Sequence, residues 1–215
     1  MLLGTLQWRE EYKPENITWE TVEGEAKLGK VFILENSDNE GRPVVFMRPR
    51  NEVPGGDNDV KLKWVVYIME HASRIADASS PDGKMAWLLD YVGYNRQNQP
   101  PWKVSLSTLS IVQNHYPERL GKAVNFKPPL LFQIFWKAIR PFVDPVTREK
   151  LVFLDGKDIQ LSTTEMAKYF DLNHLDEVIC GQLPEGDMYD YESFYKRMDA
   201  ADKTFTAKLE NIGSS

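Results

Sequence analysis

The feature that most restricts the fold is an alternation, running from Lys30 to Phe170, of short apolar runs bounded by turns with longer segments of helical period. "VFIL" and "VVFM" flank the turn cluster "NSDNEG", the pattern of an antiparallel hairpin. The segment "VKLKWVVYIMEHASRIADA" then carries Val60, Leu62, Trp64, Val65, Tyr67, Ile68, Met69, Ala72 and Ile75 at helical spacing. "KMAWLLDYVGY", "KAVNF" and "EKLVFLD" are nearly continuous apolar runs, as strands buried on both faces require. Between and after them lie the helix-patterned "VSLSTLSIVQNHY", "PLLFQIFWKAIRPF" and "STTEMAKYF". Ser105 or Ser107 would cap the first of these, and Ser162 or Thr163, with Glu165 close behind, the last. The fold class expected is α/β, a mostly parallel sheet flanked by helices with right-handed crossovers. Upstream, "TLQWREEYKPE" is expected to end a helix before Pro14. Beyond residue 180 the chain loses clean periodicity and reads as a loosely docked or partly disordered acidic tail.

Composition narrows the function. The 26 basic and 32 acidic residues give a formal charge of −6, which offers no global attraction to nucleic acid. No 18-residue apolar run exists to span a membrane. The start "MLLGTLQWREEYKPE" has no basic region or long apolar stretch of a secretory leader. Cys180 is the one cysteine, so an internal disulfide is impossible, and a reducing, cytoplasmic setting is expected.

No pattern for an enzyme assembles. Phosphate-binding glycine loops, a nucleophile elbow and HExxH are all missing from the sequence. His71, His115 and His174 lie far apart without metal-ligand spacing, and the first two suit helix faces. Asp90 ends a strand without a catalytic partner and is expected to be a hydrogen-bonding structural group.

Two segments carry more information. "NHYPERLG" (residues 114–121) puts Tyr116, Pro117, Glu118 and Arg119 at a helix-to-strand crossing, and "IRPFVDPVTREKLVF" (139–153) repeats the arrangement. With Gly121, Pro141, Phe142, Asp144, Pro145, Thr147 and Lys150, these resemble the CRAL-TRIO family, in particular its yeast-type phosphatidylinositol-transfer group. "WREEY" (8–12) and "DNEGRPVVF" (38–46) are similar to that family's pre-sheet helix and first hairpin. The resemblance covers roughly residues 5–180. It implies 1–20 as the remnant of an N-terminal helical region, 21–180 as the lipid-binding domain and 181–215 as the acidic tail.

The resemblance further implies a lipid pocket closed by a movable gate helix over residues 128–142, with Leu131, Phe135 and Ile139 on its pocket face and Met85 and Trp87 lining the sheet side. The implied headgroup site is Arg9, Glu118, Arg119, Thr147 and Lys150. Cationic donors suit a phosphodiester, and Glu118 can accept from inositol hydroxyls. Glu10 stands where the family's best-known members have a second basic residue. Met85 and Trp87 replace the hydroxyl residues that contact phosphatidylcholine, so exchange of that lipid is expected to be weak or absent. The function implied is binding and intermembrane transfer or presentation of a lipid, foremost phosphatidylinositol. The bound phospholipid would be a ligand and not a cofactor, no metal or bond-making chemistry is involved, and contact with the membrane surface is transient. A sterol, tocopherol-like or fatty ligand, or a scaffold without lipid, are the alternatives. Most of the family's N-terminal bundle has no counterpart here, so a protein partner or second copy could cover that surface.

Overall fold

The computed structural model describes residues 2–143 and 145–213. Five strands form one sheet in chain order: β1 (Val31–Ile33), β2 (Val44–Met47), β3 (Met85–Asp90), β4 (Leu120–Phe126) and β5 (Leu151–Leu154). β1 and β2 pair antiparallel across the expected turn, and every later pairing is parallel. The helices are α1 (Leu2–Tyr12), α2 (Trp19–Ala26), α3 (Asn58–Ser79), α4 (Trp102–His115), α5 (Leu130–Ile139), the short α6 (Pro145–Glu149), α7 (Ile159–Met166) and α8 (Tyr191–Gly213).

Because strand order follows chain order, right-handed crossovers bring α3, α4 and α5 onto one face. On that face Val31 and Met47 share a cavity with Val65 of α3, Val104 of α4 and Phe132 of α5. The other face presents Phe32 and Phe46, whose rings meet each other at 5.1 Å, and Phe32 meets Tyr189 at 4.6 Å. Asp90, wholly buried, pairs with Arg50 and accepts from the Val92 amide at 2.9 Å. Arg48, from the end of β2, joins it to the equally buried Asp176. This fastens the 174–190 loop to the carboxyl end of the sheet, and Asp90 is the structural group its position suggested.

Two local expectations need correction. Residues 191–213 are not a loose tail. They form α8, whose Phe194 and Met198 sit in the main core. Phe194 meets Phe32 of β1, Trp64 of α3 and Trp19 of α2, so α8 ties both layers together at the β1 edge. Arg197 donates to the Ile33 carbonyl at 2.9 Å and the Leu34 carbonyl at 3.4 Å. Those carbonyls lie at the end of an edge strand and just past it, where unpaired backbone groups need a partner. The second correction concerns caps. Asp158, not Ser162 or Thr163, caps α7 by accepting from the Leu161 amide, and α4 starts directly after Pro101 without a side-chain cap.

Candidate functional site

Two cavities occupy opposite ends of the sheet. Gly83 and Lys84 precede β3, and Arg119 precedes β4; all three line a polar cavity of about 560 Å³. Met47 closes β2 and Tyr91 follows β3; both line an apolar cavity of about 280 Å³. β3 separates the two levels, and six residues of strand (Met85–Asp90) span roughly 20 Å at about 3.3 Å each.

The polar cavity is built on one face of α3, where Glu70, Ser73, Arg74 and Asp77 recur at helical spacing. α1 reaches it because Trp8 stacks on His115 at 4.2 Å and Thr5 donates to the Asn114 carbonyl at 2.9 Å. That docking delivers Arg9, which donates to both Glu70 oxygens at 2.8 and 2.9 Å. The Tyr116 hydroxyl donates to Glu70 as well, at 2.8 Å. Arg119 is bidentate on Asp77, with Nη2 to Oδ2 at 3.0 Å, and donates to the Gly83 carbonyl at 2.9 Å.

The residues of "YPER" are therefore structural anchors. Tyr116 and Arg119 tie the α4-to-β4 crossing to two carboxylates on the same face of α3. Between them Pro117 fixes the turn, and Glu118 takes a left-handed φ of 59°. That conformation costs a non-glycine residue on the order of 1 kcal/mol. It is held by the anchors on either side, and it leaves Glu118 exposed at the cavity wall.

The geometry assembles Arg9, Glu118 and Arg119 around one cavity, although 109 or more positions separate Arg9 from the other two. Thr147 and Lys150 do not line it. They sit at the next crossing, beside the start of β5, where the Lys150 carbonyl accepts from the Ala123 amide at 2.9 Å. Asp144 lies outside the described residues. The cavity is electrically balanced: Arg9, Arg74, Lys84 and Arg119 face Glu70, Asp77, Asp82 and Glu118.

Burial opposes ionisation of Glu70, but its hydrogen bonds from Arg9 and Tyr116 outweigh that and hold its pKa below the ordinary value. Burial, and then the Glu70 charge, push the Tyr116 hydroxyl upward. A lowered carboxylate pKa stabilises the fold fully above the unfolded value of about 4.3, and the gain is lost as pH falls through the lower folded value. Glu70→Gln should therefore flatten the decline of the melting temperature below about pH 4. Identical acid limbs in the two proteins would show that Glu70 is not held this way.

The apolar cavity lies beneath α5. Phe132 lines it and meets Tyr91 at 5.2 Å, while Trp136 meets the partly exposed Phe153 at 5.8 Å. Leu130 is 71% exposed and Ile134 56%, on the outer side. The side chains of Leu131, Phe135 and Ile139 lie outside the described residues. Met85 and Trp87, expected to line the pocket, do not. Met85 is fully buried at the amino end of β3, a strand's length from the cavity, and Trp87 packs against the main core. The cavity instead sits beyond the carboxyl ends of the strands, as is general in open parallel sheets.

Among the described residues no group of three or more metal-ligating side chains converges, and no helix is long and apolar enough to cross a membrane. His71 is buried against α8, its Nε2 3.0 Å from Asp202 Oδ1. Sequence reasoning missed Arg74 and Phe205, which flank the polar cavity; the guanidinium lies 3.7 Å over the ring. The stripe Phe194, Met198, Phe205 within the acidic C-terminal stretch was the available signal.

Comparison with known proteins agrees with this architecture. The family described as CRAL/TRIO domain matches residues 27–181. Phosphatidylinositol transfer protein PDR17 of Saccharomyces cerevisiae is 32% identical over 167 residues, covering 71% of this chain and 46% of that protein. The Anopheles gambiae "Protein real-time" is 27% identical over 195 residues, covering 84% of this chain and 28% of that protein. The chain thus spans less than half the length of these curated relatives. The crystal structure of Sfh5 superimposes with a TM-score of 0.68 at 21% identity, covering 89% of this chain and 69% of that one.

Proposed function

This chain belongs to the CRAL/TRIO domain family, and from that premise we propose that it binds a lipid, foremost phosphatidylinositol, and transfers or presents it between membranes. The observation that carries the reading is the pairing of a polar cavity at one end of the sheet with a helix-covered apolar cavity at the other. A strand length of roughly 20 Å between the two levels matches the thickness of one bilayer leaflet with its headgroup region, about 20–22 Å. PDR17, named as a phosphatidylinositol transfer protein, supports the choice of lipid.

In this reading the headgroup lies among Arg9, Glu118 and Arg119, with Thr147 and Lys150 contributing from the neighbouring crossing. A phosphodiester exchanges with Asp77 or Glu70 for an arginine that is already oriented, and inositol hydroxyls donate to Glu118. The acyl chains run toward the carboxyl ends of the strands. A cavity of about 280 Å³ is below the roughly 300–1,000 Å³ of ordinary small-ligand sites, so a diacyl lipid enters only when α5 moves out. Pro129 and Pro141 flank that movement, and the exposed Leu130 and Ile134 supply apolar contact with a membrane. Roughly 30 chain methylenes at about 0.8 kcal/mol each make escape into water cost more than ~20 kcal/mol, so exchange occurs at the membrane. The lipid leaves chemically unchanged.

A second reading, an apolar ligand without a phosphate, is favoured by the balanced charges of the polar cavity, where both carried-over arginines already have carboxylate partners. Incubation with mixed liposomes, re-purification and native mass spectrometry with lipid extraction separate the two. A stoichiometric phosphatidylinositol adduct is expected. A different bound lipid moves the function to the second reading, and an empty protein sinks both in favour of a scaffold.

A further inference from the structure

The two edges of the sheet are finished differently. At the β1 edge, Arg197 of α8 donates to the Ile33 and Leu34 carbonyls. At the opposite edge β5 pairs with β4, and no strand lies beyond it among the described residues. The Lys150 and Leu154 carbonyls accept from the Ala123 and Lys127 amides at 2.9 and 2.7 Å. Backbone direction alternates along a strand, so the N–H and C=O groups of Leu151 and Phe153 point away from β4. Among the described residues those groups have no hydrogen-bond partner.

An open edge is a template for further pairing, and sheets ordinarily blunt it with a charge, a proline, a bulge or a covering element. β5 carries none of the first three: it reads Leu-Val-Phe-Leu, in regular register with β4. Phe153 is 40% exposed even with Phe132 and Trp136 against its ring. Val146 before the strand and Ile159 and Leu161 after it are exposed as well. The two ends of this apolar stretch carry opposite charges. Glu149, just before β5, is exposed and has no ion-pair partner among the described residues. Lys157, just after it, is 87% exposed and reaches only its neighbour Asp155, at 3.8 Å.

We propose that β5 is the docking edge for a second copy of this chain, running antiparallel so that the two sheets join into one. A two-fold contact is self-complementary, and outward-facing residues must meet outward-facing residues. The axis therefore passes at Val152 or at Phe153. At Val152, Glu149 would face the second copy's Asp155, carboxylate against carboxylate. At Phe153, the ring meets its own counterpart and Glu149 faces the second copy's Lys157. Aromatic and opposite-charge pairs across strands both stabilise an antiparallel ladder, so charge selects the axis at Phe153. The contact lies outside both cavities and does not depend on which lipid the chain carries.

Sedimentation velocity of the full chain from about 1 to 200 µM tests this, at an ionic strength of about 0.05 M where exposed charges are little screened. A four-residue edge makes a small interface, so reversible dimerisation within that range is expected. Glu149→Lys places like charges at both ends of the contact and should weaken the dimer about tenfold. The same change lowers the net charge from −6, so a merely global charge effect would strengthen association instead. Adding Lys157→Glu to Glu149→Lys reverses both partners and should restore the dimer. Both positions are exposed, and equal melting temperatures of the variants at low concentration verify that folding is intact. A monomer throughout the range, a dimer indifferent to Glu149→Lys, or failure of the double exchange to restore it overturns the proposal.

Discussion

Arg119→Ala should lower phosphatidylinositol pickup from mixed vesicles by about 10- to 100-fold while moving the melting temperature little. A hydrogen bond to a charged group contributes about 1.5–3 kcal/mol, and every ~1.4 kcal/mol is tenfold in affinity. The stability cost is small because the Asp77 partner is more than half exposed, and ion pairs of that kind contribute at most ~1 kcal/mol. Arg119→Lys should recover only part of the affinity, since a single ammonium cannot reproduce the bidentate fork now turned on Asp77. Unchanged phosphatidylinositol pickup in Arg119→Ala would remove the "YPER" segment from the headgroup site and leave it as the structural anchor of the α4-to-β4 crossing.

The largest stability effect is expected away from both cavities. Phe194 is 1% exposed and touches Trp19, Phe32, Trp64 and Tyr189, so it joins α8 to α2, the sheet and α3. Phe194→Ala removes a ring from a packed core at a cost of about 3–5 kcal/mol. In a protein of this size that is a fall of roughly 6–20 °C in the thermal midpoint, at about 2–4 °C per kcal/mol. Phe205→Ala, farther along α8 and only half-buried, loses mainly its contact with the Arg74 guanidinium, about 0.5–1 kcal/mol, and should shift the midpoint by a few degrees at most. Equal small shifts in both variants would return α8 to the status of a surface appendage.

α8 also shows where local pattern was insufficient. Its apolar positions are few and sit among acidic residues, so the segment looks like a solvated tail, although Phe194, Met198 and Phe205 keep helical spacing. Two of these three are enough to hold it because the receiving surface is a cluster of aromatic rings contributed by residues more than a hundred positions upstream. The buried carboxylate of Glu52 accepts from both Lys30 and Lys61, a bridge that left no trace in the sequence. Its members have no shared period, and each reads alone as a solvated surface charge.

The sheet is the opposite case. Apolar runs at strand length alternating with helical segments predicted its strands, its antiparallel start and its parallel remainder, because burial of a strand or a helix face is written in a window of a dozen residues. The motif residues near positions 9 and 119 could likewise be named from the chain. The α/β class and the candidates for recognition were thus legible along the chain. The tertiary structure alone decided that Arg9 and Arg119 reach one cavity on α3, that Thr147 and Lys150 stand at the next crossing, and that Met85 lies a strand's length from the apolar pocket. Periodicity is a property of neighbours along the chain. A charge finds its partner through space, and for Arg48 and Asp176 that partner is 128 positions away.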